Sequence, residues 1–332
     1  MKLRDDMKID FVVPWVDGSD PEWQKEYSLY SGKPILHERY RDWGVFKYWF
    51  RAVEKYAPWV NKVHLITCGQ VPDWLNTKHS KLNLVFHKDY IPQQWLPTFS
   101  SHPIELNMHR INGLSEHFVY FNDDMYLSAP CNQEDFFRNG LPCDQAITAF
   151  YHSDGIDVLY RRICNNDIAV INKNFDKKQV IRNNPLGWFN LKYGKRLLHN
   201  LYTLPLFWFP GLHIHHVAQP FLKSTFNEVW DKERMLLEET SSHRFRDNDD
   251  VNQYLFRFWA LCSGKFSPRR INIGGCYSSG GDKQLVQQWF EKQNKKIVCI
   301  NDGEGDFDIN VEMKFLQDLF ATVFPEKSSF EK

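Results

Sequence analysis

The sequence predicts an α/β fold, with a mostly parallel sheet, helices on both faces and a helical insertion. Two observations lead there. Over residues 1–142, short apolar runs of strand length alternate with helical spacing, the pattern of a parallel sheet covered on both sides. Two of those runs also end in acidic, turn-rich loops, and in open sheets ligands sit beyond the carboxyl ends of strands.

The first run, 9–16 (IDFVVPWV), reads as a buried strand that opens into Asp17-Gly18-Ser19-Asp20-Pro21. Phe46, Trp49, Phe50 and Val53 follow at i, i+3, i+4 and i+7, with Lys47, Arg51 and Lys55 elsewhere on the helix and Pro58 closing it. Residues 62–67 (KVHLIT) and 82–87 (LNLVFH) are the next two strands. A short helix over about 104–114 leads to a fourth, 117–121 (HFVYF), which runs into Asn122-Asp123-Asp124. Asn139-Gly140 within 136–142 marks a hairpin. Residues 143–210 mix short apolar runs with Asn, Lys and aromatics and read as a lid or acceptor-side insertion. The pattern over 213–265 is helical, including 251–260; a late strand at 297–300 precedes a helix carrying Leu316, Leu319, Phe320 and Val323, with Pro325 as its stop. The expected organisation is one domain over 1–332, made of an α/β part (1–142), a helical part (143–265) and a closing segment (266–332).

Composition narrows the classes of function. Lys plus Arg and Asp plus Glu are 41 each, which argues against a nucleic-acid partner. Arg161-Arg162 and Arg269-Arg270 read as solvated faces. Trp, Tyr and Phe make up 16% of the chain, which suits ligands with flat faces such as sugars and bases, or simply a Phe-rich core. The seven cysteines are scattered, with no Cys-x-x-Cys pair, and read as reduced, mostly buried thiols of a cytoplasmic protein. The charged stretch 1–10 lacks the apolar core of a signal peptide. The longest apolar stretch, 204–212, is interrupted by Pro205 and Pro210 and is too short to span a bilayer. These features predict a soluble chain, compatible with a peripheral place on the inner face of a bacterial membrane.

Four places carry residues suited to chemistry. The Asp123-Asp124 pair offers hard oxygen ligands for Mg²⁺ or Mn²⁺, although adjacent Asp residues mostly form turns and caps. Glu105 and His109 lie four apart on the expected helix, where a surface pair is the plainer reading. In the His213, His215 and His216 run the alternation spreads the rings over different faces, so one acid or base suits it better than a zinc site. Arg246, in HRFR, offers a forked donor for phosphate oxygens or an ordinary surface ion pair. Neither a glycine-rich phosphate loop nor a Gly-x-Ser-x-Gly elbow is present.

Taken together, these segments resemble the Stealth family. That family contains bacterial capsular polysaccharide phosphotransferases and the alpha/beta subunit of the animal lysosomal-enzyme GlcNAc-1-phosphotransferase. Four blocks occur in family order: 9–23 (IDFVVPWVDGSDPEW); 39–127, from RYRDWGVFKYWF through PIELNMHR to HFVYFNDDMYL; NNDIAVINKNF (165–175) with HHVAQPF and HRFRDNDDVN (243–252); and IVCIND (297–302) with FPEKSSFE (324–331). The resemblance implies a Rossmann-type core similar to the GT-A glycosyltransferases. It implies a catalytic set of Glu105, Asp124, His216 and Arg246, with Asp123 and Asp124 on Mg²⁺ or Mn²⁺. A donor site would be formed by Pro14, Trp15, Val16, Asp17, Gly18, Asp20, Arg39 and Asp42.

The activity implied is transfer of hexose-1-phosphate from a UDP-hexose or UDP-N-acetylhexosamine to a glycan or lipid-linked oligosaccharide, forming phosphodiester links in capsular or exopolysaccharide synthesis and releasing UMP. Two rivals remain: a GT-A glycosyltransferase releasing UDP, and a non-catalytic carbohydrate-binding protein. The chain departs from many relatives at Trp43-Gly44-Val45, and 143–210 matches poorly outside NNDIAVINKNF. The recognition modules of the animal protein are absent, which argues against a glycoprotein acceptor.

Overall fold

The computed structural model describes residues 7–32, 40–151, 158–270, 273–303 and 306–332. Its central sheet holds β1 (Ile9–Pro14), β2 (Val63–Thr67), β3 (Leu82–Phe86), β4 (His117–Tyr120) and β8 (Gln219–Leu222), in the order β3-β2-β1-β4-β8. The first four run parallel, as the alternation predicts, and β8 is antiparallel to β4. The strand β1 is buried on both sides because both sides are covered. Ile9, Phe11 and Val13 enter one apolar cluster with the helices Phe46–Tyr56 and Ile309–Val323; Val12 enters another with Tyr254–Cys262 and Lys223–Lys232.

Two small sheets complete the chain. One is β10 (Gly274–Ser278), β11 (Ile297–Asn301) and β5 (Met125–Leu127), with β5 antiparallel to β11. The other joins β6 (Phe137–Arg138), β7 (Leu141–Asp144) and β9 (Ser267–Pro268). The Asn139-Gly140 hairpin signal holds: both residues have positive φ (54° and 76°), the conformation a two-residue turn of this twist requires.

Some sequence expectations change. The helical reading of 213–265 hides β8, whose Pro220 is tolerated because β8 lies at the sheet edge. The helix expected over 104–114 is the helix Ser101–Leu106 and a separate turn, Met108–Arg110, broken at Asn107. Glu105 and His109 therefore do not share one exposed face. Both are buried, and His109 packs on Trp230 at 5.5 Å, burial pushing its imidazole down to about 3. Arg269 is likewise buried and not solvated, its guanidinium donating to His215 Nε2 at 2.9 Å. No helix among the described residues is long and apolar enough to cross a membrane.

Side chains of the helix Phe46–Tyr56 tie the closing segment to the core, Lys55 on the Val323 carbonyl, Glu54 on Ser329 and, above all, Arg51. Arg51 binds both Glu331 oxygens at 2.8 and 2.7 Å, and donates to the carbonyls of Phe324 and Pro325. Burial alone would push the Glu331 carboxyl up; Arg51 holds it below its ordinary value. Arg51→Met, which leaves that carboxylate buried and unpaired, is expected to lower stability by about 3 kcal/mol, read as an earlier midpoint in urea.

Candidate active site at the seam between two sheets

The chain leaves β4 in the central sheet and enters β5 in the second sheet within four residues, Phe121 to Asp124. Asp123 and Asp124 thus stand at the seam. The Ile300 amide of β11 donates to the Asp124 carbonyl at 2.7 Å and fixes the crossing. Because β1 and β4 are parallel neighbours, the loop after β1 ends beside this seam. A cleft of about 660 Å³ opens there. Its walls include Trp15 and Val16 after β1, Arg41 and Asp42, and Asn301-Asp302-Gly303 after β11. Gly303 is required: a Cβ there would sit 2.1 Å from the Ser279 carbonyl oxygen. Gly18 is equally constrained, with the Tyr40 carbonyl oxygen 2.3 Å from any Cβ.

Charge is concentrated on the floor. Asp124 Oδ2 accepts from His216 Nε2 and from the Cys299 thiol, each at 3.2 Å. Its Oδ1 is buried with no hydrogen-bond partner among the described residues. Asp123 is crowded by protein atoms, yet its carboxylate still meets the solvent of the cleft. That crowding, then the charges of Asp124 and Asp42, push its pKa up to about 7, a rise tempered by the solvent contact. Asp42 is raised for similar reasons, crowding first and the Asp17 charge second, against the pull of the Gly44 amide. For His216, crowding alone would lower the imidazole; the hydrogen bond and charge of Asp124 override it and lift the pKa above its ordinary value. Cys276, beside Cys299 in the β10–β11 register, is lowered by the Cys299 hydrogen bond and held there by His216, while Cys299 is raised.

The sequence candidates divide by where the fold puts them. Trp15, Val16, Asp42, Asp123 and Asp124 line the cleft, and Pro14 ends the strand that presents them. Asp17 and Asp20 serve the loop itself: Asp17 accepts from Ser19, and Asp20 caps the helix Pro21–Ser31 and accepts from Gln70. Arg39 lies outside the described residues. Glu105 is buried and does not line the cleft; it accepts from Tyr120 Oη at 3.1 Å and the Gln253 amide at 3.3 Å. Arg246 is exposed and donates to Ser101 Oγ at 3.2 Å, at the start of the Glu105 helix; it makes no contact with Asp124 or His216 among the described residues.

Comparison with known proteins decides what kind of chain presents this floor. Residues 7–34 match the model of Stealth protein conserved region 1, and 39–144 that of conserved region 2. The capsular polysaccharide phosphotransferase WcwK of Streptococcus pneumoniae is 43% identical over 98% of both chains. The chain belongs to the Stealth family. The receptor polysaccharide phosphotransferase WefC of Streptococcus oralis is 41% identical (98% of this chain, 99% of that one). The exopolysaccharide phosphotransferase cps2G of Lactiplantibacillus plantarum is 42% identical (98% and 96%). Among solved structures, the galactosyltransferase LgtC with donor and acceptor sugar analogues is similar at a TM-score of 0.39, with 8% identity over 95% of this chain and 96% of that one.

In this Stealth chain the floor suits a divalent cation. The charges of Asp124 and Asp42 add to the rise of the Asp123 carboxyl, and the orphaned Asp124 Oδ1 has lost its water without gaining a partner, a cost that a cation removes. Asp123 and Asp124 are the hard oxygen donors that would hold Mg²⁺ or Mn²⁺. A softer triad exists on the other carboxylate oxygen, where ligand atoms of Asp124, His216 and Cys299 lie within 4.8 Å of one another.

Sequence reasoning missed the Arg41–Asp302 pair, in which Nη1 meets both carboxylate oxygens at 2.9 Å across the cleft wall, and it missed Cys299. The signal for Asp302 was present: like Asp17 and Asp124, it follows the carboxyl end of a strand, here IVCIN. Cys299 carried none, because only its register against β5 places its thiol on Asp124.

Asp124→Asn should lower the His216 pKa, seen as an upfield-to-downfield midpoint moving to lower pH in an NMR titration of the imidazole Cε1–H. Both Cys276 and Cys68 are exposed, but Cys276 sits near 7 whereas crowding by neighbouring protein atoms pushes Cys68 up to about 11. At neutral pH, iodoacetamide is therefore expected to label Cys276 more than about tenfold faster than Cys68, by peptide mass spectrometry.

Proposed function

We propose that this chain moves hexose-1-phosphate from a UDP-sugar to a hydroxyl of a glycan, joining the two through a phosphodiester in capsular or exopolysaccharide synthesis and releasing UMP. Family membership over the full chain supports polysaccharide phosphotransfer. One observation carries the mechanism: a carboxylate that lines a cleft walled by strand-end loops, Asp124, is in hydrogen-bond contact with the exposed imidazole of His216.

Phosphoryl transfer needs little covalent chemistry from a protein and depends on placement and charge. His216 is the base of this reading. Its contact with Asp124 favours the protonated ring, so accepting the hydroxyl proton becomes easier as the imidazolium forms beside the carboxylate. Glu105 is a positioning residue, both of its oxygens engaged by Tyr120 and Gln253. Arg246, anchored only at Ser101 among the described residues, has donors left for phosphoryl oxygens as negative charge spreads in transfer. A divalent ion on Asp123 and Asp124 would neutralise the donor diphosphate. Trp15 lies stacked on Phe46 (5.7 Å, 9°) and offers an aromatic wall to a uracil ring. The acceptor is a glycan, free or lipid-linked.

Incubation with a panel of UDP-sugars and an acceptor glycan should yield UMP and stop when EDTA is added, resuming with Mg²⁺ or Mn²⁺. UDP as the product would assign glycosyl transfer instead. Asp124→Asn and His216→Ala should each lower kcat by about 10²–10⁴-fold with the fold retained, and near wild-type rates in either would remove that residue from the mechanism.

A further inference from the structure

Outside the lining of the cleft, residues 177–208 carry six Lys or Arg and no Asp or Glu, in a chain whose formal charge is zero. This stretch also holds an inverted helix, Leu197–Thr203. Its polar side faces inward: Asn200 accepts from the Thr148 amide and donates to the Ala146 and Trp188 carbonyls, and Thr203 meets the Thr148 hydroxyl at 2.8 Å. Its apolar side faces out, with Leu198 and Leu201 each 49% exposed and Tyr202 75% exposed. The segments on either side add Leu186, Leu191, Phe207 and Trp208, exposed by 80%, 87%, 68% and 55%. Soluble helices normally bury such a side, and an exposed apolar face of this extent marks an interaction surface.

The underside cannot turn over to hide these residues. Trp188 is buried and stacks on Phe209 at 5.2 Å, and the buried Lys177 ammonium donates to the Thr203 and Leu206 carbonyls. Cations are interleaved with the apolar residues. Lys192 and Lys195 are exposed beside Leu191, Arg196 lines the same shallow groove as Arg270, and the Lys178 ammonium lies 3.9 Å from the Phe207 ring.

We propose that this face docks the protein on an anionic phospholipid bilayer surface. Its outward Leu, Tyr, Phe and Trp side chains would enter the headgroup boundary while Lys and Arg meet lipid phosphates. Charge complementarity decides the occupant. A second copy, related by a two-fold axis, would bring two uniformly cationic faces together. A bilayer surface also suits the form of the patch, a broad face made of one short helix and two turns. The inference stands apart from the reaction proposed above, although only seven residues separate Trp208 from His216.

Flotation of the full-length protein with vesicles tests it. The protein should float with phosphatidylcholine–phosphatidylglycerol vesicles, stay behind with phosphatidylcholine alone, and release as salt rises. The triple variant Leu201→Ser, Tyr202→Ser and Phe207→Ser should abolish flotation, and Lys192→Gln with Lys195→Gln should weaken it roughly thirtyfold. All five side chains are exposed, so circular dichroism and melting should match the wild type. Failure of the wild type to float with anionic vesicles, or wild-type flotation of both variants, overturns the proposal. A wild-type dimer that the triple variant dissociates assigns the face to a second copy and overturns it equally.

Discussion

Everything at the cleft depends on one crossing. Between Tyr120 and Met125 the chain passes from the central sheet to the second one, and the Ile300 amide holds the crossing on the Asp124 carbonyl at 2.7 Å. A backbone pinned between two sheets cannot relax to separate its side chains. Asp123 and Asp124 therefore keep two like charges at a place of partial desolvation, where water screens them poorly. The cost shows in the raised Asp123 carboxyl and in the unpartnered Asp124 Oδ1. That arrangement is what the proposed cation site rests on.

The surrounding parts share that dependence. β1 and β4 lie side by side and in the same direction, so the loop with Trp15 and Val16 reaches the wall of the same cleft. The late strand β11 contributes from the other side: its backbone fixes the crossing, its thiol contacts Asp124, and its end supplies Asp302, paired with Arg41. The Arg51–Glu331 pair then holds the chain end against the helix Phe46–Tyr56, which packs beneath Trp15 through Phe46. Structural integrity and site geometry are carried by the same few elements.

Outside the cleft, the helix Leu197–Thr203 follows the opposite logic to the core helices. The helix Phe46–Tyr56 buries Trp49, Phe50 and Val53 and leaves Lys55 in solvent, as its spacing dictates. Leu197–Thr203 buries an amide and a hydroxyl, each fully hydrogen-bonded, and leaves its leucines in solvent. Buried polar groups with complete partners hold a segment in place as firmly as apolar packing does. The residue pattern alone gives no sign of which side faces in.

Much of this was legible in the amino-acid order. The strands of the central sheet up to β4, the Asn139-Gly140 turn, the late strand and the last helix all follow from periodicity and turn chemistry, because those signals are local. So did the placement of Asp17 and Asp124 at strand ends, and the family blocks pointed to Asp124 and His216 together. Tertiary structure alone decided the rest. It buried Glu105 and His109, whose spacing suited a surface pair, because the helix breaks at Asn107. It turned a stretch read as helix into β8, because an open sheet edge beside β4 accepts a strand with a proline. It set Arg246 on Ser101, and brought Cys299 to Asp124 across 175 positions of chain. Contacts between residues so far apart depend on how sheets pack and on what each burial costs, and neither is written in any local run of residues.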